Sequence, residues 1–195
     1  MSEKLDRRKA YTRMVLKNSL IKLLTEKQIS AITVKEICHL ADINRSTFYA
    51  HYTDQYDLLN QVEDEILNEM EETLGKYNFR KEEEAIQMLE KMLDYIANNV
   101  EVCQALLSEN GNTTFQNKVM NFAREFIFKN IKEITQLDRQ VSEYITVFIV
   151  SGSIHIIKKW LANGMDKSPK ELAEIINHLT NKGLFNTIDK ASFFK

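Results

Sequence analysis

Apolar residues recur at helical spacing along almost the whole chain. Met14, Leu16, Leu20, Ile21, Leu23 and Leu24 mark one face of a first helix over about 9–24, and the polar residues 1–8 read as a tail. A connection over 26–32 carries Ile29 and Ile32. Thr33-Val34-Lys35-Glu36 is a capping box, in which the Thr33 hydroxyl and the Glu36 carboxylate each satisfy the other's backbone N–H. It predicts a second helix over 34–41 that buries Val34, Ile37, Cys38 and Ala41. Asn44 suits the N-cap of a third helix, over about 45–51. Thr53 or Asp54 caps a fourth, striped by Tyr56, Leu58, Leu59, Val62, Ile66, Leu67 and Met70. Four more helices follow over about 81–98, 100–108, 114–135 and 138–162, punctuated by Asn110-Gly111-Asn112 and Asn163-Gly164. Ser168-Pro169-Lys170-Glu171 is a second capping box with proline at the first helical position. It starts a last helix that ends near residue 182, where Gly183 suits the C-terminal cap.

The expected class is therefore all-α, with about nine helices. Composition agrees: one proline and five glycines in 195 residues leave too few turns for a β-sandwich or barrel. The longest apolar run, residues 144–157, is interrupted by Thr146, Ser151, Ser153 and His155. Neither a membrane span nor a signal peptide is expected, so the expected location is cytoplasmic. Cys38 and Cys103 lie in apolar patterns without metal or CxxC spacing and read as reduced, buried thiols.

The net charge of −2 is unevenly spread. Residues 1–60 carry ten Lys/Arg against seven Asp/Glu, and residues 61–195 carry 16 against 21. Lys4, Arg7, Arg8, Lys9, Arg13, Lys17 and Lys22 crowd the start. A basic end joined to an acidic body suits a polyanion partner for the former and another task for the latter.

Two short helices joined by a turn of about three residues, within 33–52, form a helix-turn-helix pattern. The first braces the second, whose N-terminal end enters the major groove of double-stranded DNA. Asn44, Arg45, Ser46 and Thr47 stand at that end, where Arg can donate two bonds to guanine and hydroxyls can serve several partners. Phe48 points inward. Tyr49, His51, Tyr52, Thr53 and Gln55, with the free N–H groups opening the fourth helix, suit phosphate oxygens.

The run Thr33-Val34-Lys35-Glu36-Ile37-Cys38, then Ala41-Asp42-Ile43-Asn44-Arg45-Ser46-Thr47-Phe48-Tyr49-Ala50-His51-Tyr52, then Asp57-Leu58-Leu59, resembles the DNA-binding domain of the TetR family. The specific match covers about residues 10–60. Trp160-Leu161-Ala162-Asn163-Gly164 and Ser168-Pro169-Lys170-Glu171-Leu172-Ala173 resemble the end of a TetR-type C-terminal domain. The resemblance implies a helix-turn-helix DNA-binding domain over 9–54 and a larger helical effector-binding and dimerisation domain over 55–195. It also implies an Ω-shaped homodimer, with a four-helix interface made by the last two long helices of each subunit. The implied DNA contacts are Thr33, Lys35, Asn44, Arg45, Ser46, Thr47, Tyr49, His51, Tyr52 and Gln55. Met88, Met92, Phe122, Phe126, Tyr144 and Phe148 would line a pocket for a small-molecule effector. Ile149, Ser153, Ile156, Trp160, Leu172, Ile176 and Leu179 would form the dimer interface. Where the family usually has a turn glycine this chain has Asp42, which tolerates a left-handed backbone. Where the family often has lysine at the start of the fourth helix it has Gln55, which removes one charge-assisted phosphate contact.

The function so implied is a homodimeric repressor that leaves a palindromic operator when an effector binds. A rival reading is a helical adaptor acting through protein contacts with little DNA binding, favoured by Gln55 and the modest basic excess. No enzyme is expected, since GxSxG, HExxH and a phosphate-cradling glycine loop are missing. Glu82-Glu83-Glu84 reads as an acidic first helical turn. No cofactor or metal is expected, because His155 and His178 lack metal-spaced partners.

Overall fold

The computed structural model describes residues 2–74, 76, 82–108, 113–134, 138–181 and 183. Among them are nine α-helices and no strand: α1 Ser2–Glu26, α2 Val34–Ala41, α3 Arg45–Tyr49, α4 Gln55–Leu74, α5 Glu82–Asn98, α6 Val100–Leu107, α7 Thr113–Ile134, α8 Arg139–Ala162 and α9 Pro169–Asn181. A single 3₁₀ turn, Ile29–Ala31, fills part of the first connection. The chain divides into two compact units. One comprises 1–69 and 101–116, and the other 70–100 and 117–195.

The first helix departs most from expectation. It begins at Ser2, so the residues read as a tail are helical. Glu3, Lys4, Leu5, Arg7, Arg8 and Lys9 are strong helix formers, and an exposed helical turn needs no apolar periodicity. Further along α1, Leu16, Leu20, Ile21 and Leu24 are buried and anchor the helix in the first unit. Burying such a side chain contributes about 1.5–3 kcal/mol, so these four outweigh any surface pair. The Lys17–Glu65 bridge to α4, at 2.7 Å and partly exposed, adds at most about 1 kcal/mol.

Both capping boxes form. Thr33 Oγ1 accepts from Glu36 N–H at 3.3 Å, and Glu36 Oε2 accepts from Thr33 N–H at 2.9 Å. Ser168 and Glu171 repeat the arrangement at 3.2 and 2.8 Å, which starts α9 at Pro169. Asn163 ends α8 and Gly164 takes the left-handed φ of 73°. Trp160 Nε1 donates to Lys167 O at 2.8 Å across this turn.

In the second unit α9 packs on α5 and, to a lesser extent, on α8. Leu172, Ala173 and Ile176 are buried on α9, as are Met88, Leu93 and Ile96 on α5. The hydroxyls inside apolar α8 are satisfied locally: Ser142 donates to Asp138 O at 3.0 Å and Thr146 to Ser142 O at 2.7 Å. Bonded this way they interrupt the apolar run less than the sequence suggests. By length and composition α8 is long and apolar enough to cross a membrane, contrary to expectation, and it is the one such helix among the described residues. Burial pushes the Cys103 thiol up to about 12 and raises that of Cys38. Neither forms a disulfide.

Candidate nucleic-acid interface

The helix-turn-helix is built by three local devices. The first is the box that starts α2. The second is the turn: Asp42 adopts φ 53° and ψ 44°, the left-handed conformation that a short polar side chain accepts at modest cost. Its successor Ile43 donates to Cys38 O at 2.9 Å, closing a Schellman-type end that reverses the chain within three residues. The third is Phe48, fully buried, with its ring 5.5 Å from Tyr49 and 5.6 Å from Tyr52. Phe48 fixes which face of α3 looks inward, and so which face looks out.

The outward edge is polar and unengaged. Asn44 has the extended backbone of an N-cap but makes no side-chain cap bond, and it is exposed. Arg45 and Ser46 are exposed and Thr47 half-exposed. Lys35, on α2, is exposed too. Neither Lys35 nor Arg45 has a carboxylate partner among the described residues. Unpaired cations on a rigid edge are free to meet phosphate or base edges without first breaking a bridge.

Other expected contacts sit differently. Thr33 is exposed, but its hydroxyl donates to Glu36 Oε2 at 2.8 Å and so belongs to the cap. Tyr49 is 58% exposed, whereas Tyr52 is only 5% exposed and packs on Phe48, a core role that withdraws its ring from any partner. At the start of α4, Asp54 Oδ1 accepts from both Tyr56 N–H and Asp57 N–H at 2.8 Å. Those two N–H groups are therefore not free for phosphate. Gln55, half-exposed, stands beside them. Asp57 in turn accepts from Thr53 N–H and Gln61, bonds that hold its carboxyl below the usual range.

His51 brings in residues that the sequence did not mark. One open cleft is lined by Arg8, Lys9 and Thr12 of α1 together with Ser46, Thr47, Ala50 and His51. The basic cluster was visible in the sequence, but its place beside α3 depended on α1 starting at Ser2.

The cap that starts α2 carries a pH signature. The Lys27 ammonium and the Thr33 hydroxyl and N–H hold the Glu36 carboxyl down to about 2 from an ordinary 4.5. A depressed folded value means stabilisation that is complete above the ordinary value and fades as pH falls toward 2. Glu36→Gln is expected to be less stable than wild type at neutral pH, with the difference vanishing near pH 2. Denaturant curves at several pH values check this, and a pH-independent difference would contradict it.

The remaining expected site residues lie in the second unit. Met88 is buried, Met92, Phe122 and Phe126 are half-buried, and the last two rings stack with centroids 6.4 Å apart. Tyr144 and Phe148 do not join them in a cavity within the chain: they are 78% and 75% exposed on α8. Trp160, Leu172 and Ile176, expected at a subunit interface, are buried inside the protomer at 2–4% exposure, whereas Ile149, Ser153, Ile156 and Leu179 are half-exposed. A periodic stripe cannot tell an intramolecular from an intermolecular apolar contact.

Residues 83–182, just over half of the chain, match the TetR-type family model described as "Transcriptional regulator C-terminal region". Over 64 residues, 33% of the chain, the sequence is 34% identical to "Uncharacterized HTH-type transcriptional regulator YxbF" of Bacillus subtilis (strain 168). That stretch covers 16% of the relative, so the chain spans about a sixth of its length. A TetR transcriptional regulator from Streptococcus agalactiae 2603V has the same fold, with TM-score 0.68 at 23% identity over 92% of this chain and 99% of that one. The transcriptional regulator FadR of Bacillus subtilis, in complex with stearoyl-CoA, aligns with TM-score 0.63 at 16% identity over 88% and 98%.

Proposed function

The chain belongs to the TetR family of transcriptional regulators, and from that premise we propose that it is a cytoplasmic, homodimeric repressor whose α3 reads a two-fold-symmetric operator and which a small-molecule effector releases. Regulation rather than catalysis follows from the family. The observation that carries the DNA-binding reading is the unengaged polar edge Asn44-Arg45-Ser46-Thr47, held by the Asp42 turn and the buried Phe48. Arg45, Ser46 and Thr47 contact base edges. Asn44, Lys35, Tyr49, His51 and Gln55 contact the backbone and fix the register.

Homodimerisation is supported by α8. Val141, Tyr144 and Phe148 are 45%, 78% and 75% exposed and recur at i, i+3 and i+7, one face of the helix. Gly152 continues that face, and a Cβ there would meet nothing in the chain within 4 Å. Glycine inside a helix costs roughly 0.5–1 kcal/mol against alanine. Nothing within the protomer needs it, so its use is the close approach of a second copy. Ile149, Ser153 and Ile156 border this face, and Leu179 of α9 adds to the same interface.

The effector site belongs to the second unit, around Met88, Met92, Phe122 and Phe126. The FadR neighbour, solved with stearoyl-CoA, supports ligand binding in this fold. An effector acts here only through its differential affinity for the DNA-bound and free states.

The test is selection of genomic fragments retained by the purified protein. A small set sharing a two-fold-symmetric element is expected. Retention of all fragments alike, with a protein partner co-purifying in equal amount, would mean that the helices serve as an adaptor instead.

A further inference from the structure

We infer that Arg8 and Lys9 of α1, with His51, form a phosphate clamp that grips the DNA backbone next to the reading edge, making α1 a second DNA-contacting element. The inference rests on the DNA-binding reading above and adds a site outside the helix-turn-helix.

Its basis is the cleft shared by α1 and α3, lined by Arg8, Lys9, Thr12, Ser46, Thr47, Ala50 and His51. No carboxylate lines it. Arg8 and Lys9 are exposed, and neither has an ion-pair partner among the described residues. Thr12 is 6% exposed and its hydroxyl donates to Arg8 O at 3.0 Å, so it forms the floor rather than a contact. Ala50 adds no bulk. What remains is a guanidinium, an ammonium, two hydroxyls and an imidazole around an open space, an arrangement suited to an anion.

Two features make that anion a phosphodiester of bound DNA. Ser46 and Thr47 belong both to the cleft and to the reading edge, so a strand whose bases meet α3 passes the cleft. The cations also sit on a helix anchored by buried Leu16, Leu20 and Leu24, so little ordering entropy is lost when they engage.

The full-length protein is titrated by fluorescence anisotropy against a selected duplex and a scrambled one, over a range of salt. Arg8→Gln with Lys9→Gln is expected to lower the slope of log affinity on log salt by about two, one unit for each lost phosphate contact. Affinity falls at least about tenfold for both duplexes, and their ratio is kept. Arg8→Lys, which keeps the charge, retains the wild-type slope. An unchanged slope in the double variant overturns the clamp. Inorganic phosphate, followed on the His51 ring resonances, is expected to bind no tighter than millimolar. Sub-millimolar binding with an unchanged DNA slope assigns the cleft to free phosphate and overturns the proposal. If Arg45→Ala relaxes sequence preference while the double variant behaves as wild type, the clamp falls and the regulator reading stands. If the wild-type protein binds neither duplex, both fall.

Discussion

Replacing Tyr144 and Phe148 together by glutamate is expected to give a folded monomer that has lost most of its DNA affinity. Both side chains are more than 70% exposed in the protomer, so charge there costs little in folding. On the proposed interface each would be buried against a second copy. The isologous geometry then places four unpaired carboxylates in one apolar contact. With the dimer gone, the two reading heads no longer share one binding event, and the affinity gained by linking them, roughly 10²–10⁴, disappears. Light scattering is expected to show one chain's mass for the variant and twice that for wild type. Matching far-ultraviolet spectra and melting curves tie the loss to assembly. A variant that remains dimeric and binds DNA normally would move the interface away from the exposed stripe of α8.

Arg45→Ala is the second large effect, and it differs in kind. Arg45 opens α3, is exposed, and has no carboxylate partner among the described residues, so its removal leaves the protomer intact. A bidentate arginine–guanine contact discriminates by about 1–3 kcal/mol. A dimer loses it twice, once in each half-site. Operator affinity is expected to fall by one to three orders of magnitude, while affinity for unrelated duplex falls far less. Competition binding against single-base variants of the selected element is expected to show relaxed preference at one symmetric pair of positions. A uniform loss over all sequences would make Arg45 a backbone contact, the behaviour expected of Lys35.

The helices of this protein were largely legible because their ends are written in short polar signals. Thr33 with Glu36, Ser168 with Glu171, and Asn163-Gly164 all act where the sequence places them. Asp42 also behaves as read, since the left-handed turn depends on the residue itself. Misreadings arose where a pattern has two physical solutions. The start of α1 lacks apolar spacing yet is helical, because charged helix formers suffice on an exposed turn. Tyr52 shares the polar-tipped aromatic character of Tyr49, but only its position relative to Phe48 decides that it is buried. Trp160, Leu172 and Ile176 follow the same spacing as an interface stripe but are used within the protomer. The α1–α3 cleft was out of reach for a different reason: it joins residues about forty positions apart, and no local spacing encodes that meeting.

The central claim is sequence-specific DNA binding through α3, and one ratio tests it most directly. Wild-type affinity is measured for the selected element and for a scrambled duplex of equal length and composition, both at about 150 mM salt. The account predicts a preference of about 10³ or more for the selected element. Equal affinity for the two duplexes would contradict it, whatever the strength of binding.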